Sequence, residues 1–428
     1  MKKIGIRHED KYLSEKRVPL IPDDIKSLTE KYEIEFKIES SGKRIFCDEE
    51  YQIVGAKVVN NIDDCDIILG VKEIPVEKLL PTKTYIYFSH VIKGQGYNMP
   101  MLKRLIELNC NLIEYEKIVD EAGRRLIFFG RFAGLAGMIN TLWSLGQRYS
   151  RLGINTPFLN IRQAHTYKSL DDAISDVRRV GDLIRKDGLP DEVLPFITAF
   201  TGYGNVSRGA WEIFDLLPYQ EISPEEILTA EVDKHNLYKV VFKEKDLVEK
   251  ISGEFELQDY YDNPSDYRDK FHRYLHKLSC VVNGMYWDER YPRIITKDLL
   301  KDLFESNHLK LAVIGDITCD PEGSIECTHK GTEIEDPVFV YNPSTQTSVM
   351  GFDGDGVLVM AVDILPSELP RESSISFSNA LSDFIPEIAE ADFNANFNAI
   401  KLPLPIKSAL ILLNGQLTPD YKYLSEFL

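Results

Sequence analysis

The sequence predicts an α/β protein of two doubly wound parallel-sheet domains with a cleft between them, and three observations carry that prediction. Short apolar runs alternate with amphipathic stretches along the chain, the pattern of successive βαβ units. A glycine-rich turn, Gly202-Tyr-Gly204, sits between an apolar run and a helical stretch, which marks a second sheet. The 428 residues are enough for two ordinary cores.

Taken in order, Ile4-Gly-Ile-Arg7 reads as a strand, and a helix opens at Pro22-Asp-Asp with Ile25, Leu28 and Tyr32 on one face. Further strands are expected over 34–38, 56–59, 66–70, 85–89 and 111–115. Residues 132–152 read as one long helix because Leu135, Met138, Ile139, Leu142 and Leu145 recur at helical spacing. After the breaker-rich Lys186-Asp-Gly-Leu-Pro, a second sheet is expected. It begins with a strand ending at Thr201 and a helix over 205–217, followed by buried strands over 280–283, 311–315 and 357–362. Residues 242–277, rich in charge and aromatics with weak periodicity, read as an insertion, part loop and part helix. The tail beyond Pro370 carries one helical stretch, 375–388, and is expected to pack back on the first domain. The domains are therefore drawn as 1–130 with 371–428, and 131–370.

Composition narrows the function classes. With 43% hydrophobic and 28% charged residues the chain reads as folded. A net charge of −18 repels phosphate backbones, so no nucleic-acid partner is expected. Any site for an anionic substrate must gather its cations locally. The six cysteines are scattered without a CxxC pair, which reads as free thiols with no zinc site. The charged run Arg7-His-Glu-Asp-Lys follows Met1-Lys-Lys-Ile-Gly-Ile at once, and no stretch of about 18 apolar residues exists. The expectation is a cytoplasmic protein, or else an organellar one, with no membrane partner.

The turn Thr201-Gly202-Tyr-Gly204-Asn205-Val206-Ser207-Arg-Gly209 is the first candidate for chemistry. Gly202 would permit a tight turn and Gly204 a close approach of a pyrophosphate to the backbone, with the helix N-terminus offering free N–H groups. Ser207 stands where the standard fingerprint has its third glycine. The other reading is a packing turn. Beyond the helix, Tyr219-Gln-Glu221-Ile-Ser223-Pro224 offers no aspartate for a ribose 2′-hydroxyl, and Glu221 is expected inside the strand rather than at its tip. A missing acid leans toward NADP over NAD.

Lys72 in Gly70-Val-Lys72 and His90 in Phe88-Ser-His90 each follow an apolar strand. Neighbouring parallel strands would bring both to one crevice, and both side-chain types can exchange protons near neutrality. Arg17 and Arg124-Arg125 could fork onto carboxylates, or be solvated turn residues. Asp316, Asp320 and Asp363 stand at strand ends, where loop capping is the plainer account. His272 and His276, four residues apart, lack the glutamate and third ligand of a metal site, and Ser207 lacks the Gly-x-Ser-x-Gly frame of a nucleophile.

In one order along nearly the whole chain run several multi-residue motifs: Arg17-Val-Pro-Leu, Gly70-Val-Lys72, Phe88-Ser-His90-x-Ile-Lys93 and Glu114-Tyr-Glu116 come first. Phe129-Gly-x-x-Ala-Gly-x-Ala-Gly-Met138-Ile, Phe200-Thr-Gly-x-Gly-Asn-Val-Ser207 and Asn283-Gly-x-Tyr286-Trp287 follow. Asp316-Ile-x-x-Asp320-x-x-Gly-Ser-Ile-Glu326, Asp363-x-Leu-Pro and Tyr421-Lys-Tyr423 complete the set. With them the chain resembles the lysine–2-oxoglutarate reductase part of bifunctional aminoadipic semialdehyde synthase. It is more distantly similar to lysine-forming saccharopine dehydrogenase and to alanine dehydrogenase. The resemblance implies a substrate domain of the alanine dehydrogenase N-terminal type and a Rossmann-like dinucleotide domain. It implies joining of lysine to 2-oxoglutarate and NAD(P)H reduction of the imine to saccharopine. It also implies that Lys72 and His90 are the acid–base pair, that Arg17, Lys93, Arg124 and Phe129 contact substrate, and that Tyr286, Asp316, Asp320 and Asp363 line the cofactor cleft. Cys319 and Pro321 depart from the usual alanine and threonine, for which a small change in loop rigidity is expected. The rivals are an alanine-type amino-acid dehydrogenase and a non-catalytic nucleotide-binding protein. A stand-alone reductase is expected, with a separate glutamate-forming saccharopine dehydrogenase acting next.

Overall fold

The isoleucine-, leucine- and tyrosine-rich runs of the first sheet form six parallel strands: β1 (Lys2–Ile6), β2 (Ile34–Glu39), β3 (Lys57–Val59), β4 (Ile67–Leu69), β5 (Thr84–Tyr87) and β6 (Asn111–Glu114). They lie in the order β6-β5-β4-β1-β2-β3. β4 and β5 are buried at every position, which is why they read as unbroken apolar runs, whereas β2 alternates buried with half-buried residues. The chain fills one side of β1 first and then the other, so the order reverses between β1 and β4. Ligands of such sheets bind outside the carboxyl ends of the strands at that reversal.

This computed structural model describes residues 2–428. The first of its two units takes the chain as far as Phe129 together with Pro370–Leu428, and the second is Gly130–Leu369. Leu410–Leu413 pairs antiparallel with β6, and Gln416–Leu417 pairs in turn with that strand. The single helix expected over 375–388 is two, Pro370–Ser382 and Ile385–Glu390. Pro386 sits in the first turn of the second helix, where its missing N–H breaks no bond and where it cannot continue a preceding ladder.

The second sheet has eight strands: β7 (Ile197–Thr201), β8 (Tyr219–Glu221), β9 (Leu237–Phe242), β10 (Cys280–Asn283), β11 (Val313–Asp316), β12 (Val338–Asn342), β13 (Thr347–Met350) and β14 (Val357–Met360). Their order is β13-β12-β14-β11-β10-β7-β9-β8, with β12 and β13 the antiparallel pair at one end. One expectation is corrected here: Glu221, expected inside its strand rather than at the tip, is the last residue of β8. The strand after the glycine-turn helix, β8, lies at the sheet's outer edge, and β9 takes the place beside β7. Tyr219-Gln-Glu221 has little apolar surface to bury, while Leu237-Tyr-Lys-Val-Val-Phe242 is buried at five of six positions. The insertion starts correspondingly later than residue 242. It carries a hairpin of Val248–Lys250 with Tyr267–Asp269 and a short helix, Leu257–Asp262.

Helix Gly130–Arg151 crosses helix Asn205–Phe214 backbone against backbone. A Cβ added at Gly134 would overlap the Val206 carbonyl oxygen, and one at Gly209 would overlap that of Arg131. Among the described residues no helix is long and apolar enough to cross a membrane.

Candidate active site

In the first unit the carboxyl ends of four adjacent strands hold the ionisable residues. Past β4 and β5 the backbones remain paired, with Gly70 N–H on Ile86 O at 3.1 Å and Phe88 N–H on Val71 O at 3.1 Å. Lys72 and His90 therefore leave the sheet side by side, one from each strand. Lys72 is half-buried, and its ammonium lies 5.7 Å from the centre of the Tyr12 ring.

Carboxylates fix the backbone on which these two residues ride. Glu9, from the loop after β1, accepts the amides of Val71 (2.7 Å) and Lys72 (2.9 Å). Burial pushes its carboxyl up to about 7 despite the nearby Arg7. Glu114, at the end of β6, accepts the amides of Ser89 (2.8 Å) and His90 (3.0 Å) and the Ser89 hydroxyl. Burial raises this carboxyl to about 7 as well, against the Ser89 hydrogen bond. His90 is held at φ +50, an uncommon conformation for a residue with a side chain, maintained here by bonds on both sides.

The imidazole is oriented by Glu73, the neighbour of Lys72. Its Oε1 lies 2.7 Å from His90 Nδ1 and 2.8 Å from the Lys11 ammonium. Burial works to raise the Glu73 carboxyl, but the hydrogen bonds and charges of His90 and Lys11 win and bring it to about 2. An ionised Glu73 accepts from Nδ1–H, which leaves Nε2 as the nitrogen open to chemistry. Sequence reasoning passed over Glu9 and Glu73, and assigned Glu114 no role. A carboxylate's position opposite particular amides has no sequence signature, although Glu73 directly follows Lys72.

The two arginines expected to bind substrate have opposite surroundings. Arg17 is only 4% exposed. Its Nε and Nη2 fork onto Glu15 at 2.8 and 2.5 Å, and its guanidinium lies 4.1 Å from the Phe129 ring centre. Phe129 in turn stacks on Phe377 at 4.5 Å. Burial would raise the Glu15 carboxyl, but Arg17 and then Lys72 hold it below the usual range. Arg17 and Phe129 thus stand in the electrostatic neighbourhood of Lys72. Arg124 does not: its side chain is 81% exposed and pairs with Asp120 at 2.7 Å. Lys93 is exposed.

In the second unit the glycine turn follows β7 and opens the helix Asn205–Phe214. Gly202 has φ +89, and a Cβ there would come within 3.0 Å of Met285 Cα. Gly204 borders open space, since an added Cβ would meet nothing within 4 Å. Gly204, facing open space at a helix N-terminus, fits the pyrophosphate of a dinucleotide. Ser207 is buried with an unpartnered hydroxyl, and it fits because the residue opposite is Gly284, where a Cβ would come 2.7 Å from its Oγ. Asn205 and Val206 form the first helical residues.

Beneath this turn three strand ends are tied by a buried polar network. Thr201 donates to Asn283 Oδ1 at 2.6 Å, and Asn283 Nδ2 donates to Asp316 at 2.9 Å. Asp316 also accepts from Thr318 (2.7 Å) and Thr328 (2.6 Å). Burial nevertheless raises its carboxyl. Asp316 is thus a member of the network that fixes the strand ends. Asp320 and Asp363 are exposed, with the Cys319 thiol 3.8 Å from the Asp363 carboxylate. Tyr286 is 73% exposed and its hydroxyl bonds Asp288 at 3.0 Å.

Both halves of the chain match known family domains. Residues 5–136 match the N-terminal domain of alanine dehydrogenase/PNT, and residues 268–420 match the C-terminal domain. The alpha-aminoadipic semialdehyde synthase of Arabidopsis thaliana is 38% identical over 98% of this chain and 41% of its own length. The mitochondrial protein of that name from Mus musculus is 34% identical over 99% of this chain and 47% of its own. The chain thus spans less than half the length of these relatives. An NAD(+), L-lysine-forming saccharopine dehydrogenase of Yarrowia lipolytica is 27% identical, covering 91% of this chain and 93% of that one. A solved L-alanine dehydrogenase shares the fold, with a TM-score of 0.63 at 15% identity over the whole of both chains. The chain belongs to the alanine dehydrogenase/PNT family, and the resemblance to aminoadipic semialdehyde synthase read from its motifs is borne out.

Proposed function

We propose that this chain is an oxidoreductase that condenses L-lysine with 2-oxoglutarate and reduces the imine to saccharopine, a step of lysine degradation. The observation that carries the reading is the pairing of Lys72 with a His90 whose Nδ1 is fixed by ionised Glu73. The substrates come from the names of the relatives, one a semialdehyde synthase of aminoadipate and another a lysine-forming saccharopine dehydrogenase.

The lysine ε-amine must lose a proton before it attacks the ketone carbon of 2-oxoglutarate. His90 Nε2 is the base suited to take it, because Glu73 holds the other ring nitrogen protonated. Nitrogen–carbon bond formation gives a carbinolamine, whose hydroxyl leaves as water when Lys72 supplies a proton. Glu15 and Arg17, locked to each other beside Lys72, set the charge that its ammonium experiences. A nicotinamide dinucleotide, for which Gly202, Gly204, Asn205, Val206 and Ser207 are the holding residues, supplies a hydride when bound. NADPH is the preferred form in this reading and NADH the alternative.

The deciding measurement follows the absorbance of NADPH and of NADH with lysine and 2-oxoglutarate together, with each omitted, and with ammonia replacing lysine. Oxidation that needs both organic substrates is expected. Oxidation with ammonia and a 2-oxo acid alone would make the chain an amino-acid dehydrogenase of the alanine type, and none at all would remove the catalytic reading.

A further inference from the structure

We propose that a pocket beside the glycine turn seats the 2′-phosphate of NADP(H), and that Arg208 and Lys243 are the residues that choose this nucleotide over NAD(H). The proposal rests on the reading of the turn as a dinucleotide site, and it locates a choice that the chemistry of the turn itself leaves open. The pocket has a volume of about 690 Å³, and its walls include Tyr203, Arg208, Trp211, Glu221, Lys239 and Lys243.

Its place in the sheet comes first. A ribose 2′-hydroxyl is gripped by an acid at the end of the strand beside the glycine strand. In this chain that neighbour is β9, with Phe242 opposite Thr201 and the Gly202 amide bonded to Phe242 O at 3.3 Å. The residue that follows, level with the turn, is Lys243. The next acid, Glu244, is engaged elsewhere: its carboxylate accepts the hydroxyls of Tyr203 (3.1 Å) and Tyr261 (3.0 Å).

The charge of the pocket is the second observation. Lys239 in its wall is neutralised by Asp215 at 2.6 Å. Arg208 and Lys243 are exposed, and among the described residues neither side chain has an ion-pair partner, in a chain with 68 acidic and 50 basic residues. Two such cations on one pocket beside a nucleotide turn suit a dianion, which accepts charge-assisted hydrogen bonds from both. Glu221, at the end of β8, is the one opposing charge on the wall.

Third, Trp211, whose ring centre lies 5.0 Å from the Lys239 ammonium, forms part of the same wall and gives the pocket an aromatic side beside its cations. Together these features favour a phosphate on the ribose over a bare hydroxyl.

The test titrates the protein with NADPH and NADH, and with 2′,5′-ADP and 5′-AMP as fragments with and without the phosphate, following tryptophan fluorescence and calorimetric heat. Wild type is expected to bind NADPH and 2′,5′-ADP at least about 10-fold tighter than their unphosphorylated partners. Arg208→Met and Lys243→Met should each weaken the phosphorylated ligands by about 10-fold or more and leave NADH unchanged. Glu221→Gln should tighten NADPH. Both cations are exposed, so the variants should melt like wild type. Equal affinity for the two dinucleotides, or equal loss of both in the variants, would overturn the seat while the turn stands. A Glu221→Gln variant that loses NADH and leaves NADPH unchanged would assign the pocket to the hydroxyl instead. Absence of binding by either dinucleotide would sink the reading of the turn, and the seat with it.

Discussion

At the carboxyl end of the first sheet, backbone amides are occupied by the protein's own carboxylates: Glu9 takes Val71 and Lys72, and Glu114 takes Ser89 and His90. At the same end of the second sheet the polar side chains bond one another, Thr201 to Asn283 to Asp316, and Gly204 borders open space. Both sheets are doubly wound, so topology decides where each set of residues gathers. The side chains decide what gathers there. The first unit carries ionisable groups in place, with Glu9, Glu73 and Glu114 held by hydrogen bonds, which suits proton transfer. The second ties its strand ends to one another and leaves open space at Gly204, where charge can arrive with a ligand.

The largest expected effect tests how firmly the first unit's charges are pinned. Arg17→Met removes the fork that holds the buried Glu15 carboxylate, a loss worth about 3–5 kcal/mol. Urea unfolding followed by signals of the first unit should show it, with nucleotide binding by the second unit preserved. A loss below about 1 kcal/mol, the scale of an exposed ion pair, would mean that Glu15 simply takes up a proton or finds another partner.

Next comes pH. Glu9 rises from 4.5 to about 7 on folding, so between those values the folded chain holds a proton that the unfolded chain has released. Stability from this group is therefore full below pH 4.5 and is lost as pH rises toward 7. Relative to Glu9→Gln, wild type should lose on the order of 3 kcal/mol across that window. Parallel melting curves at every pH would show that Glu9 is ionised throughout and that the burial argument fails.

Lys72→Met should slow turnover per folded molecule by about 100-fold, the scale of a lost acid–base catalyst, with nucleotide affinity unchanged. Near-normal turnover would reduce Lys72 to a structural residue and dissolve the contrast between the two sheets. The smallest effect is expected at Arg124. Its exposed pair with Asp120 is worth less than about 1 kcal/mol, so Arg124→Met should leave stability and both Michaelis constants nearly unchanged. A rise of about 10-fold in either constant would restore it as a carboxylate anchor.

What the sequence disclosed follows from these surroundings. β4, β5, β10 and β14 were legible because burial on both faces forces continuous apolar runs. β9 was not, because Lys239 interrupts its run, and only the fold supplies the Asp215 carboxylate and the Trp211 and Tyr219 rings that make the lysine tolerable there. Lys72 and His90 were legible from their positions after apolar strands. Arg17 and Arg124 looked alike in sequence, since whether an arginine meets water or a buried glutamate depends on residues brought up by folding. Glu73 was hidden for the same reason: its role exists only once β4 and β5 lie side by side.

The first unit is assembled from two distant stretches of chain, with Gly130–Leu369 between them. During synthesis β6 emerges with one edge bare, and Leu410–Leu413, the strand that covers it, is made nearly three hundred residues later. At about 5–20 residues per second that interval is on the order of 15–60 seconds. The second unit, whose strands are contiguous in the chain, can fold in that time. The nascent first unit meanwhile presents an unpaired β-edge, the surface by which half-made chains join one another or recruit chaperones. The strand that closes this edge thus acts late, as a timer on when the Lys72 side of the protein is complete.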